Sequence, residues 1–166
     1  MARTRSDAET RAVGHALTRV LVARDLVVLS GDLGAGKTTL TKGIATGLGI
    51  PEEITSPTFT LARRYEAALS LHHLDVYRLD EHADIVDLGL PELMDDDAVT
   101  VIEWGDLIAS ELGPDRLEIR LLLCDDDEER RIEVVAAGRS WHARTALLAE
   151  VLAPWTAEPG EGDPAR

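Results

Sequence analysis

The segment Leu26-Val27-Val28-Leu29-Ser30-Gly31-Asp32-Leu33-Gly34-Ala35-Gly36-Lys37-Thr38 carries two patterns in direct succession. Residues 26–29 are a short, uninterrupted apolar run bounded by Asp25 and Gly31. Such a run suits a strand buried on both faces, as in a parallel sheet. Gly31 to Thr38 then fits G-x-x-x-x-G-K-[ST] in full, between that strand and a helix expected over Lys37–Leu48. Glycines there let backbone N–H groups point inward as a cradle for phosphate oxygens, and the helix N-terminus adds partial positive charge. Lys37 would neutralise the β- and γ-phosphates, and the Thr38 hydroxyl would ligate Mg²⁺. The bland alternative is a Gly-rich turn that merely precedes a helix. Gly31, Gly34 and Gly36, the Lys-Thr pair and the strand–helix context argue against it.

Reading outward gives an alternation of helices and strands. Ser6-Asp7-Ala8-Glu9 has the S-x-x-E form of a capping box. Val13, Ala16, Leu17, Val20 and Leu21 follow at helical spacing, so a first helix is expected over about 7–23. Gly49 and Pro51 end the second helix, and Ser56-Pro57 marks a turn. Strands are expected over 59–65, 69–74 and 99–102, with a short broken helix over 81–93. An antiparallel pair, 117–123 with 132–136, is expected around Asp125–Glu129, and a last helix over Trp141–Leu152. This order predicts a three-layer α/β fold with a mainly parallel central sheet plus antiparallel hairpin strands. The length of 166 residues suits one domain, expected over 1–153. The stretch 154–166, with Pro159, Gly160, Gly162 and Pro164, is expected to be a disordered acidic tail.

Acids outnumber Lys plus Arg by 31 to 17, for a formal charge of −14. The excess is local. From Asp75 to Glu129 there are 19 acids against three arginines, a net of −16, while the remainder sums to +2. Such a surface repels phosphate backbones, which argues against autonomous binding to RNA or DNA. Contact with nucleic acid would have to come through a basic partner. The single cysteine, Cys124, cannot form an internal disulfide and fits a reducing, cytoplasmic compartment. The N-terminal residues lead into a charged, amphipathic stretch, and no segment approaches the roughly 18 apolar residues of a membrane helix.

Phosphate loops need a second acid to hold the metal, usually at the end of a neighbouring strand. Glu103 closes the apolar strand 99–102 and so stands in that place. Asp is the commoner residue there, but the longer Glu reaches Mg²⁺ directly or through a water. The alternative is a strand-end acid facing solvent. Asp75, within His73-Leu74-Asp75-Val76-Tyr77-Arg78, is on spacing alone a solvated strand-end acid or an ion-pair partner of Arg78. Ser56-Pro57-Thr58-Phe59 is either a turn or a loop that senses the γ-phosphate, and spacing leaves both open. His72 and His73 point to opposite faces of a strand and cannot share a metal. Cys124 is expected to pack near a strand end, and Trp141 and Trp155 to be packing residues. The acidic run 125–129 reads as a solvated hairpin tip or a docking surface for a basic partner.

A guanine-specific GTPase would carry an N/T-K-x-D motif, which a chain whose only lysines are Lys37 and Lys42 lacks. The serine-glycine signature of ABC-type ATPases is absent as well. A small-molecule kinase usually has an Arg-rich lid, for which only the doublets Arg63-Arg64 and Arg130-Arg131 are available. Four segments are Gly31–Thr39, Ser56-Pro57-Thr58-Phe59-Thr60-Leu61, His73-x-Asp75-x-Tyr77-Arg78 and Glu103-Trp104-Gly105. Together, in order and spacing, they resemble the bacterial TsaE (YjeE) family over about residues 8–138. Each is weak alone; the ordered set is specific.

The resemblance implies an ATPase that assists synthesis of threonylcarbamoyladenosine at the tRNA adenosine next to the anticodon. It also implies partners, TsaD paired with TsaB, which carry out the transfer and through which alone tRNA is met. ATP and Mg²⁺ are the implied ligands. Gly31, Asp32, Leu33, Gly34, Ala35, Gly36, Lys37, Thr38 and Thr39 would hold the nucleotide, with Thr58 near the γ-phosphate, Trp104 beside the nucleotide and Arg130 as a contact from the hairpin. Thr38, Asp75 and Glu103 would surround Mg²⁺, and with Lys37 they form the expected catalytic set. The competing classes are a nucleoside or sugar kinase and a nucleotide-sensing module that does not hydrolyse ATP.

Overall fold

A computed structural model describes residues 1–57, 61–78 and 89–156 of the chain. The apolar run at 26–29 is the middle of strand β2 (Leu26–Ser30), which continues through the glycine loop into helix α2 (Lys37–Gly47). Ahead of it come β1 (Ala2–Thr4) and α1 (Asp7–Leu17). After it come β3 (Ala62–Tyr65), β4 (Ser70–Asp75), α3 (Leu90–Asp95), β5 (Ala98–Glu103) and a 3-10 turn at Gly105–Ile108. The antiparallel pair β6 (Arg116–Leu123) and β7 (Arg130–Ala137) follows, then α4 (Arg139–Ala143), α5 (Thr145–Leu152) and a 3-10 turn at Ala153–Trp155.

The described strands form one seven-stranded sheet in the order β1-β7-β6-β2-β5-β4-β3. The inner strands β6, β2, β5 and β4 run parallel, and β7, β1 and β3 add antiparallel edges. Side-chain alternation sends successive residues of each strand to opposite faces. Val27, Leu29, Leu71, Val99 and Val101 join the larger core with α1, α2, α4 and α5. Leu26, Val28, Leu74 and Ile102 join a smaller core with Leu90 of α3 and Ile108 of the 3-10 turn. The expected three-layer α/β arrangement is what forms. Helices α1 and α2 pack closely because Gly43 presents no side chain: a Cβ there would collide with the Arg11 carbonyl oxygen.

Several boundaries differ from the sequence reading. The first helix stops at Leu17 rather than near residue 23, and the chain turns so that Val20 and Leu21 enter the core. Its capping box is offset by one position. Ser6 Oγ accepts from the Glu9 N–H at 3.2 Å, but the Glu9 carboxylate accepts from the Arg5 N–H at 2.7 Å. The last helix is two helices, broken at Arg144, whose guanidinium bonds both Asp25 carboxylate oxygens at 2.6 and 2.7 Å and the Val20 carbonyl at 2.7 Å. Pro154 and Trp155 fall within a 3-10 turn, with Trp155 packed against the core; residues 157–166 of the expected tail lie outside the described residues. Of the strand expected from Phe59 and the helix expected from Glu81, the described parts are Ala62–Tyr65 and Leu90–Asp95. Among the described residues no helix is long and apolar enough to cross a membrane.

Candidate functional site

Parallel register brings the site together. Leu29 of β2 and Asp75 of β4 both align with Glu103 of β5, so the strands end at one edge. Ligands of open α/β sheets bind outside these carboxyl ends. Asp75 and Glu103 lie an even number of residues from Leu71 and Val101, which face α2, so both carboxylates belong on the face that carries Thr38.

The loop 31–36 turns sharply through left-handed backbone at Gly31 (φ 128°), Gly34 (φ 79°) and Gly36 (φ 103°). At Gly31 the requirement is also steric, since a Cβ would meet the Leu121 carbonyl oxygen of β6. Helix α2 begins at Gly36 with no capping side chain among the described residues and no acid in its first turn, whereas α1 carries the Ser6 cap with Asp7 and Glu9. The free N–H groups at the start of α2 are therefore available to an anion.

Lys37 is buried beneath this loop. Its Nζ donates to the Gly31 carbonyl at 2.6 Å and the Asp32 carbonyl at 2.9 Å, and lies 3.5 Å from the centroid of the Trp104 ring. Burial lowers its pKa from 10.5, opposed by the charges of Glu103, Asp75, Asp106 and Asp32. Trp104 reaches over the lysine from a left-handed backbone position (φ 62°) directly after Glu103, and packs against Tyr77 with ring centroids 4.6 Å apart and planes tilted by 39°. Thr38 Oγ1 donates to Glu103 Oε2 at 2.9 Å. On the other carboxylate oxygen, His73 Nε2 lies 2.8 Å from Oε1, with Thr41 Oγ1 at 3.5 Å. Ser56 Oγ and the Tyr77 N–H (3.1 Å) hold the Asp75 carboxylate. Arg130 clasps the loop from β7: Nε donates to Ala35 O at 3.0 Å and Nη2 to Gly34 O at 3.3 Å.

Glu103 and Asp75, at 2% and 5% exposed, are thus not solvated strand-end acids. Leu33 stands exposed at the loop tip, Asp32 offers its carbonyl to Lys37, and Thr39 follows Thr38 on the first turn of α2. Thr58 lies outside the described residues. Trp141 is fully buried, as expected, and Cys124 directly follows the end of β6, half-buried. Residues 125–128 are exposed at the hairpin tip. Sequence reasoning did not single out Thr41, and it named His73 and Ser56 within their segments without placing them on the Glu103 and Asp75 carboxylates. Strand alternation from Asp75 back to His73 would have placed that imidazole on the Glu103 face.

Two carboxylates and a hydroxyl are hard oxygen donors of the kind Mg²⁺ prefers. Among the described residues no group of three or more His, Cys, Asp and Glu side chains is placed to hold a metal ion. The chain's own donors therefore fit the one or two carboxylates that Mg²⁺ takes when phosphates and waters complete its shell, and not a self-sufficient cage.

Comparison with known proteins gives the family and the fold. The family model described as "Threonylcarbamoyl adenosine biosynthesis protein TsaE" matches residues 4–132. The chain belongs to the TsaE family. The TsaE protein of Bacillus subtilis is 41% identical over 140 residues, covering 84% of this chain and 87% of that protein. TsaE of Treponema pallidum is 47% identical over 127 residues, covering 76% and 94%. The crystal structure of Bacillus subtilis YdiB superposes with a TM-score of 0.78 at 37% identity, covering 89% of this chain and 92% of that one. The TsaE chain has the phosphate-loop NTPase fold of this neighbour.

Proposed function

We propose that this TsaE chain is a Mg²⁺-dependent ATPase of the phosphate-loop type, acting in the cytoplasm in threonylcarbamoyladenosine synthesis on tRNA together with the TsaB–TsaD pair. One observation carries the reading: a phosphate loop, a buried lysine, and a hydroxyl–carboxylate pair meet at the carboxyl edge of the sheet, Thr38 Oγ1 and Glu103 Oε2 being 2.9 Å apart. In this reading the N–H groups of residues 31–39 bind the polyphosphate, and Lys37 exchanges its bonds to the Gly31 and Asp32 carbonyls for phosphoryl oxygens. Thr38, Glu103 and Asp75 hold Mg²⁺, which when bound neutralises charge on the phosphates. Trp104 and Tyr77 wall the nucleotide, and Arg130 fixes the loop's carbonyls outward of the cradle. The acidic surface fits action on tRNA through partners rather than by direct contact.

The test is phosphate release from Mg-ATP by the purified chain, with and without TsaB–TsaD. Partner-stimulated release is expected, falling about 100-fold or more in Lys37→Ala because a charge-stabilising donor is removed. Release that is neither stimulated by a bound pair nor lost in Lys37→Ala would overturn the reading. Transfer of the γ-phosphate to an acceptor would make the chain a kinase, and tight Mg-ATP binding without turnover a sensor.

A further inference from the structure

His73 is fully buried, and its Nδ1 has no hydrogen-bond partner among the described residues. Its Nε2 sits 2.8 Å from Glu103 Oε1. An ionised carboxylate only accepts, so the proton of this bond is the one on Nε2. A side chain placed here for packing alone would be served better by Leu or Met, since half of the imidazole's hydrogen-bonding capacity is unused. What His73 does that no apolar residue would do is hold one oxygen of Glu103.

The other contacts of that carboxylate do not replace it. Thr41 Oγ1 has one proton and gives it to the Lys37 carbonyl at 3.0 Å, its oxygen lying 3.5 Å from Oε1. This is the usual back-bond of a helical threonine. Thr38 engages only Oε2. With Oε1 fixed by His73 and Oε2 turned to Thr38, the plane of the carboxylate is set by two bonds on opposite sides. Register adds a second constraint: His73 lies two residues before Asp75 on β4, beside Val101 of β5, so one strand delivers both the Asp75 carboxylate and the support for Glu103.

We propose that His73 is a positioning residue: by donating Nε2–H to Glu103 Oε1 it orients the carboxylate so that Oε2 and the Thr38 hydroxyl face a divalent cation together. This rests on the reading of Glu103 as a Mg²⁺ holder given above. Partners of this kind fix the orientation of ligating groups, and their loss typically lowers metal affinity about 10–100-fold.

The experiment titrates Mn²⁺, detected by electron paramagnetic resonance, into the full chain saturated with the non-hydrolysable analogue adenylyl imidodiphosphate. His73→Met is expected to bind Mn²⁺ about tenfold more weakly or worse, with analogue affinity in EDTA unchanged. His73→Gln, which keeps a donor near the Nε2 position, is expected to recover most of the loss. Glu103→Gln in the same titration separates the two claims. If it weakens Mn²⁺ while a folded His73→Met does not, the positioning role is overturned and the metal reading stands; if neither weakens Mn²⁺, the metal reading falls and the proposal with it. Should His73→Met fail to fold, the imidazole ¹⁵N shifts of the unaltered chain decide. The Nε2–H tautomer supports the proposal and the Nδ1–H tautomer overturns it.

Discussion

His72 and His73 are neighbours on β4, each bonded through Nε2 to a carboxylate, and they do opposite things. His73 faces α2, where Glu103, Thr38 and Lys37 converge beneath the phosphate loop. His72 faces the other side, where Asp96 accepts from its Nε2 at 3.0 Å and also from Arg64, itself bonded to Glu66 at 2.6 Å. Asp96 is one-third exposed and Arg64 more so, whereas Glu103 is sealed. A histidine–carboxylate bond is thus a brace open to solvent on its acid side on one face, and an enclosed contact beneath the glycine loop on the other. The difference lies in what surrounds the carboxylate, and a two-residue period along the strand is enough to separate the two.

The contrast can be broken at either carboxylate. Glu103→Gln is expected to lower Mg²⁺-dependent phosphate release about 100-fold while circular dichroism shows the fold intact, the lost charge being one placed for the reaction. Unchanged Mg²⁺ dependence would make the two carboxylates equivalent and sink the distinction. Asp96→Ala, by contrast, removes the acceptor shared by His72 and Arg64. The partly exposed Arg64–Asp96 pair is worth at most about 1 kcal/mol, and the buried His72 left without its acceptor adds about 1–3 kcal/mol, so a drop in the urea midpoint is expected with phosphate release unaltered. A rate that fell with Asp96 would join the outer cluster to the site.

The smallest effect concerns pH. Burial, and then the nearby Arg64 guanidinium, lower the His72 pKa from 6.5. As pH falls below 6.5 the unfolded chain therefore takes up this proton before the folded chain does. Stability contributed by keeping His72 neutral is present above 6.5 and declines as pH falls from there towards the lowered folded value. Urea midpoints measured across that interval should slope downward with acid, and His72→Gln should flatten the slope. An equal slope in the variant would assign the acid sensitivity elsewhere.

Local patterns account for what was legible in the sequence. The strand–loop–helix of residues 26–47 could be read because an apolar run, fixed glycine spacing and a Lys-Thr pair are all contiguous. Glu103 could be placed because it ends an apolar run. What escaped was decided by partners distant along the chain. β1 is only Ala2–Thr4, and it is a strand because β7 offers it the register Ala2↔Ile132 to Thr4↔Arg130. The break at Arg144 depends on Asp25 and Val20, more than a hundred residues away. His73 was weighed as a metal ligand and as part of the His73-x-Asp75-x-Tyr77-Arg78 segment, but its bond to Glu103 depends on the pairing of β4 with β5, which no local pattern shows.

The scarcity of lysine gives α2 a practical property. The chain's only two side-chain amines, Lys37 and Lys42, sit on this one helix, the first enclosed between the glycine loop and the Trp104 ring and the second half-buried further along. Apart from the α-amine of Met1, amine-acylating reagents would therefore read two addresses on a single rod, one beneath the glycine loop and one away from it. Mass spectrometry of the helix peptide can then follow occupancy of the loop against an internal standard that the protein itself supplies.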